Sequence, residues 1–107
     1  MESRDIVLCK EMASLLFNEA PEGSCKIILR ADLNVSGDVC KFEYDHVNGD
    51  GQISWFAPES GAFSHEIGEL LLQHRDFFVS QGQPAWVSCE FIVDVEKGKF
   101  FMNLKHD

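Results

Sequence analysis

Three features of this 107-residue chain carry side chains whose types and spacing could do chemistry. The run His46-Val47-Asn48-Gly49-Asp50-Gly51-Gln52-Ile53 matches the middle of a calcium-binding EF-hand loop, with Asn48 and Asp50 as oxygen donors and Gly51 at the sharp turn. Its ends fail the match. His46 stands where an aspartate should open the loop, and Ala57 stands where a bidentate glutamate should close it. What is left is a hairpin turn, since Asn and Gly tolerate the backbone a tight turn needs. His65-Glu66-Ile67-Gly68-Glu69 resembles the zinc-protease pattern H-E-x-x-H, but Glu69 replaces the second histidine. The third feature is the set of cysteines and histidines. A nucleophile pair would need Cys40 or Cys89 to meet a distant imidazole, and buried thiols are inert. His74 is expected in the core with one ring nitrogen satisfied. The chain has no glycine-rich nucleotide motif, P-loop or nucleophile elbow. No catalytic residue, cofactor or metal is therefore expected, and the chain is not expected to be an enzyme.

The elements that would position these residues follow from periodicity. Leu8, Cys9, Met12, Leu15 and Leu16 recur at helical spacing over residues 3 to 19, with Ser3 as N-cap and Pro21 beyond the end. Strict alternation then marks a strand from Lys26 to Val35, with Ile27, Leu29, Ala31 and Leu33 on one side. Ser36-Gly37-Asp38 turns it back into an antiparallel strand from Val39 to Val47, with Cys40, Phe42, Tyr44 and His46 together. A third strand, Gln52 to Ala57, offers Ile53 and Trp55 on one side and Phe56 on the other, and does not declare which is inward. A second helix spans Ala62 to Ser80 on Phe63, Ile67, Leu70, Leu71, His74, Phe77 and Phe78, capped by Gly82. Alternation resumes at Val87, Cys89, Phe91, Val93 and Val95, turns at Glu96-Lys97-Gly98, and returns through Phe100, Met102 and Leu104. This hairpin has the clearest pattern of all. The predicted fold is α+β, one domain over residues 1–107 in the order α-β-β-β-α-β-β, an antiparallel five-stranded sheet with both helices on one face.

Charge sets the functional class. Eighteen acidic residues against nine basic ones give a net charge of −9. That disfavours direct contact with nucleic acid, whose phosphates attract Lys and Arg, and favours a basic partner or simple solubility. The cysteines are far apart and no long apolar span is present, so reduced thiols in a cytoplasm and no membrane segment are expected. An even cysteine count leaves a disulfide framework as the alternative.

A partner surface can be sketched from exposure alone. If the odd positions of the first and fourth strands face the helices, the far face carries Ile28, Trp86, Ile92 and Phe101 within a rim of charge, as protein-binding surfaces do. The candidate carboxylates form two groups: Glu43, Asp45 and Asp50 around the second turn, and Glu66, Glu69 and Asp76 on the exposed side of the second helix. Trp55 or Trp86 is the expected apolar anchor.

The block Gly82-Gln83-Pro84-Ala85-Trp86-Val87-Ser88-Cys89-Glu90-Phe91 is followed by Asp94, by Gly98-Lys99-Phe100 and by a closing strand. A helix with Leu70-Leu71 and Phe77-Phe78 precedes it. On these residues, the N-terminal helix and the acidic balance, the chain resembles the YezG-like family of bacterial immunity proteins. That group is similar to the immunity proteins of contact-dependent growth inhibition and polymorphic toxin systems. The third strand, its loops and the ending Leu104-Lys105-His106-Asp107 depart from the family pattern. The resemblance implies a cytoplasmic antitoxin that binds the toxin domain of a cognate effector, commonly a nuclease, and blocks it sterically. It carries over no catalytic or binding residue. An acidic adaptor or chaperone for a secreted effector is the competing expectation.

Overall fold

The computed structural model describes residues 3–34, 40–58 and 61–106. The elements are α1 (Arg4–Glu19), β1 (Lys26–Leu33), β2 (Cys40–Val47), β3 (Ile53–Trp55), α2 (Gly61–Ser80), β4 (Ser88–Asp94) and β5 (Lys99–Lys105). The strands form one antiparallel sheet in the order β3-β2-β1-β4-β5. The predicted α+β class, element order and strand count are all present. The β4–β5 hairpin, the plainest pattern in the sequence, lies at one side of the sheet. The centre is β1, which pairs with β2 on one flank and β4 on the other.

Alternation explains why β1 can sit there. Ile27, Leu29, Ala31 and Leu33 are buried on one face, and their partners Tyr44, Cys89, Phe91 and Val93 are buried with them. Both helices cover that face. From α1 come Leu8, Cys9, Met12 and Leu16; from α2 come Phe63, Ile67, Leu70 and Leu71. Phe63 meets Tyr44 of β2 with ring centroids 5.7 Å apart, which puts the start of α2 beneath the β2–β3 side. Burying each large apolar side chain contributes roughly 1.5–3 kcal/mol, so this layer dominates stability.

The helix ends show local chemistry at work. Ser3 occupies the N-cap of α1, but its hydroxyl donates to the Asp5 carboxylate and accepts no helix N–H. The carbonyl of Ser3 accepts the Val7 N–H instead. At the end of α2, Gly82 takes φ +82°, and the Gln83 N–H reaches back 3.0 Å to the Phe78 carbonyl. This is the glycine cap anticipated from sequence. The Asn48–Gly51 turn is closed by Asn48 itself, whose side-chain oxygen accepts the N–H groups of Asp50 and Gln52, both at 3.0 Å. Gly51 has φ +81°.

Strand limits differ slightly from the periodic reading. β3 is three residues long, shorter than Gln52–Ala57, and Phe56 just beyond it faces Tyr44 and His46 on the inner side. The expected Ser36-Gly37-Asp38 turn, Val35 and Val39 lie outside the described residues, as does the side chain of Cys40. Cys9, Cys25 and Cys89 are free thiols. Burial pushes Cys9 up to about 11 and Cys89 up to about 12, so neither is a ready thiolate. Among the described residues no helix is long and apolar enough to cross a membrane.

Candidate partner-binding surfaces

Trp86 is not on the surface. It was expected on the far face of the sheet as an anchor, and it is 0 % exposed. β4 begins only at Ser88, so strand alternation does not govern residue 86. The segment after α2 tucks the indole into the core, where Nε1–H donates to His74 Nδ1 at 3.3 Å. The His74 ring stacks on Phe78 at 4.6 Å, confirming the core histidine with a satisfied nitrogen. Burial lowers the His74 pKa, while Asp5 pulls it back up. Arg75, which sequence reasoning passed over, is also buried. Its guanidinium donates to the carbonyls of Asn34 at 2.9 Å and Trp86 at 3.3 Å, tying α2 to the ends of β1 and the linker. An arginine inside an amphipathic helix gives no sequence signal of such a role.

Trp55 is the surface tryptophan, 78 % exposed. Register places it at one end of a row that crosses all five strands: Trp55, Asp45, Ile28, Ile92 and Phe101. Ile53 lies beside it, 66 % exposed. Trp55, Glu43 and Asp45 line a recess of about 360 Å³ with Phe42, Phe56 and Pro58. Asp50 is exposed at the turn and is not part of this recess. Of the predicted second-turn group, the structure therefore brings Glu43 and Asp45 together with Trp55.

The charges on that outer face cancel. The outward positions hold Lys26, Arg30, Lys41, Lys99 and Lys105 against Asp32, Glu43, Asp45, Glu90 and Asp94. Arg30 sits between two carboxylates, pairing with Asp45 and lying 3.4 Å from Glu90. Its pKa is raised, chiefly by the bond to Asp45. Asp32 accepts the Ser88 hydroxyl at 2.6 Å, and Asp94 accepts the Lys97 N–H at 3.1 Å in the hairpin turn. Asp45 was expected as a free acidic contact. It is half-buried and neutralised, because β1 brings Arg30 diagonally beside it.

The second carboxylate group has different surroundings. Glu66, Glu69 and Asp76 are all exposed on α2, within an arc of about 80° at 100° per residue. Glu66 and Glu69 share a cleft of about 440 Å³ with Leu15, Asn18 and Glu19 of α1. His65 Nε2 stands 3.8 Å from Glu69, both well exposed, a weak pair of the i,i+4 kind. Glu19 is the addition sequence reasoning missed; the antiparallel contact of the two helices brings it in.

Other constellations do not assemble into chemistry. Ser24 Oγ lies 3.3 Å from His46 Nδ1, but the same hydroxyl donates to the Pro21 carbonyl at 2.6 Å, so its proton points away from the imidazole. Among the described residues no group of three His, Cys, Asp or Glu side chains could hold a metal ion. A comparison with protein-family models finds none that matches the chain, and a search of curated proteins finds no significant match.

Proposed function

We propose that this protein is a cytoplasmic immunity protein that binds the toxin domain of a cognate bacterial effector, a basic nuclease, and occludes it. The observation that carries this reading is the segregation of charge. The outer face of the sheet is balanced, while elsewhere among the described residues nine carboxylates face four basic side chains, one of them the buried Arg75. A nuclease must gather Lys and Arg to hold phosphates, and a carboxylate-rich layer competes for those groups. The excess also steers and speeds encounter, which matters when toxin must be caught before it acts. Glu66, Glu69 and Asp76 lead that layer. The free thiols suit a reducing compartment.

The test is co-expression with the toxin domain of the cognate effector. Reversing Glu66, Glu69 and Asp76 to Lys together should restore toxicity, slow association and flatten its salt dependence. Association that ignores salt and the triple reversal would sink the electrostatic mechanism. The competing adaptor or chaperone reading draws on one observation, the exposed aromatics Trp55 and Phe101 at the two ends of the outer-face row. A chaperone would bind the toxin domain only when unfolded, and an immunity protein binds it folded and active.

A further inference from the structure

The two edges of the sheet are unlike. At one side β5 presents seven residues guarded by Lys99 and Lys105, with Lys97 in the turn before it. Lysines on an edge discourage further strand pairing. At the other side β3 is bare of cations, and among the described residues no strand pairs with its outer edge. The hydrogen bonds from Asn48 N–H to the Gln52 carbonyl, and from Phe56 N–H to the Tyr44 carbonyl, turn the even-numbered residues of this segment toward β2. The N–H and C=O groups of Ile53 and Trp55 therefore point to the open edge. Their side chains stand exposed on the outer face just above. Among the described residues, the carboxylates beside this edge that no cation pairs with are Glu43 on β2 and Asp50 in its turn, while Asp45 is held by Arg30.

We propose that the open edge of β3 receives an extended, lysine- or arginine-rich segment of the basic partner, which adds a sixth strand beside Ile53–Trp55 with Trp55 as its anchor. Backbone pairing supplies attachment at such an edge, and alternate side chains supply selectivity. A cation on the incoming strand would lie over the Trp55 indole, the aromatic face that attracts cations best, with Glu43 close by. The same cation at the β5 edge would meet lysines. The inference deepens the proposed function and rests on its reading of the partner as basic.

A peptide probe tests the edge without the partner. The capped heptapeptide Lys-Thr-Lys-Val-Lys-Thr-Lys is titrated into the whole protein and followed by amide NMR shifts and by acrylamide quenching of tryptophan. Trp86 is buried, so quenching reports Trp55. The expected result is shifts centred on the Ile53 and Trp55 amides, shielding of Trp55, and at least tenfold weaker binding of the peptide with Glu in place of Lys. Ile53→Pro removes an N–H that points outward and no ladder bond, so it should weaken binding at least tenfold while leaving the amide spectrum of the core intact. Trp55→Ala, at an exposed position, gives the same reading should the proline variant fail to fold. Shifts confined to β5 or α2, no response at millimolar peptide, or equal binding of the Glu peptide would each overturn the proposal. Toxin neutralised through Glu66, Glu69 and Asp76 with an unresponsive edge would sink only the edge. An edge that binds the Lys peptide in a protein that neutralises no toxin would sink only the immunity reading.

Discussion

The outer face of the sheet and the outer layer of the helices are built from the same acidic chain, yet they present opposite kinds of surface. On the sheet, register sets each carboxylate near a cation, with Arg30 held by Asp45 and Glu90, and an apolar row shows between them. On the helices the carboxylates of Glu66, Glu69 and Asp76 face solvent along one side, and Arg4, the first residue of α1, donates to Gln73 at 2.6 Å. Among the described residues the acid excess is thus not spread evenly and lies off the outer face of the sheet. The difference shows that composition states how much charge there is and strand pairing decides where it is left uncancelled.

The largest effect that can test this comparison separates the two tryptophans. Trp86→Ala removes a fully buried ring and its bond to His74, and should destabilise by about 3–5 kcal/mol, as should Phe91→Ala. Trp55→Ala should change stability by roughly 0.5 kcal/mol or less. Urea denaturation measures all three, and similar losses for Trp55 and Trp86 would contradict the assignment of inner and outer faces.

Next in size is the electrostatic contrast. Reversal of Glu66, Glu69 and Asp76 to Lys should slow association with a basic partner at least tenfold at low ionic strength. The neutral change Asp45→Asn should slow it much less, because Arg30 already cancels that charge. Stopped-flow rates across a salt series read this out. Both effects should fade as the screening length shrinks below about 10 Å near 0.1 M salt. Equal sensitivity at the two sites would break the distinction drawn between the faces.

A smaller effect is set by pH. His74 is buried and neutral, with its pKa lowered by burial, so the unfolded chain takes up a proton before the folded one does. Stability from this group is fully present above the unfolded value of about 6.5 and is lost as pH falls below it, at about 1.4 kcal/mol for each unit by which the folded pKa lies lower. Denaturation midpoints at pH 7.5 and 5.0 should differ in that sense, and His74→Gln should narrow the gap. A protein more stable at pH 5.0 would reverse the sign. The smallest effect belongs to Glu90→Ala on the outer face, expected at about 0.5 kcal/mol or less since its partner Arg30 is well exposed and keeps Asp45.

Much of the scaffold is legible in one dimension because period and punctuation are local. Ile27 to Leu33, Cys89 to Val93, the stripe of α1 and the cap at Gly82 all follow from spacing and backbone freedom. The reading fails where a residue leaves its element. Alternation carried back from β4 puts Trp86 outward although it lies before that strand, and Arg75 gives no signal in the helix pattern although two carbonyls hold it inside. β3 was ambiguous for a related reason. Three residues give too short a period to choose a face, and only pairing with β2 shows Ile53 and Trp55 to be outward.

The sequence by itself determined the element order, the inward residues of β1, β4 and β5, the core histidine and the acid excess, because each depends on neighbours a few positions away. The tertiary structure alone decided that β1 lies at the centre, that Trp55 and not Trp86 meets solvent, that Arg30 cancels Asp45, and that Glu19 joins Glu66 and Glu69. Each of those depends on which distant segments become neighbours. That is set by how the whole chain buries its apolar faces at once, and no window along the sequence contains it.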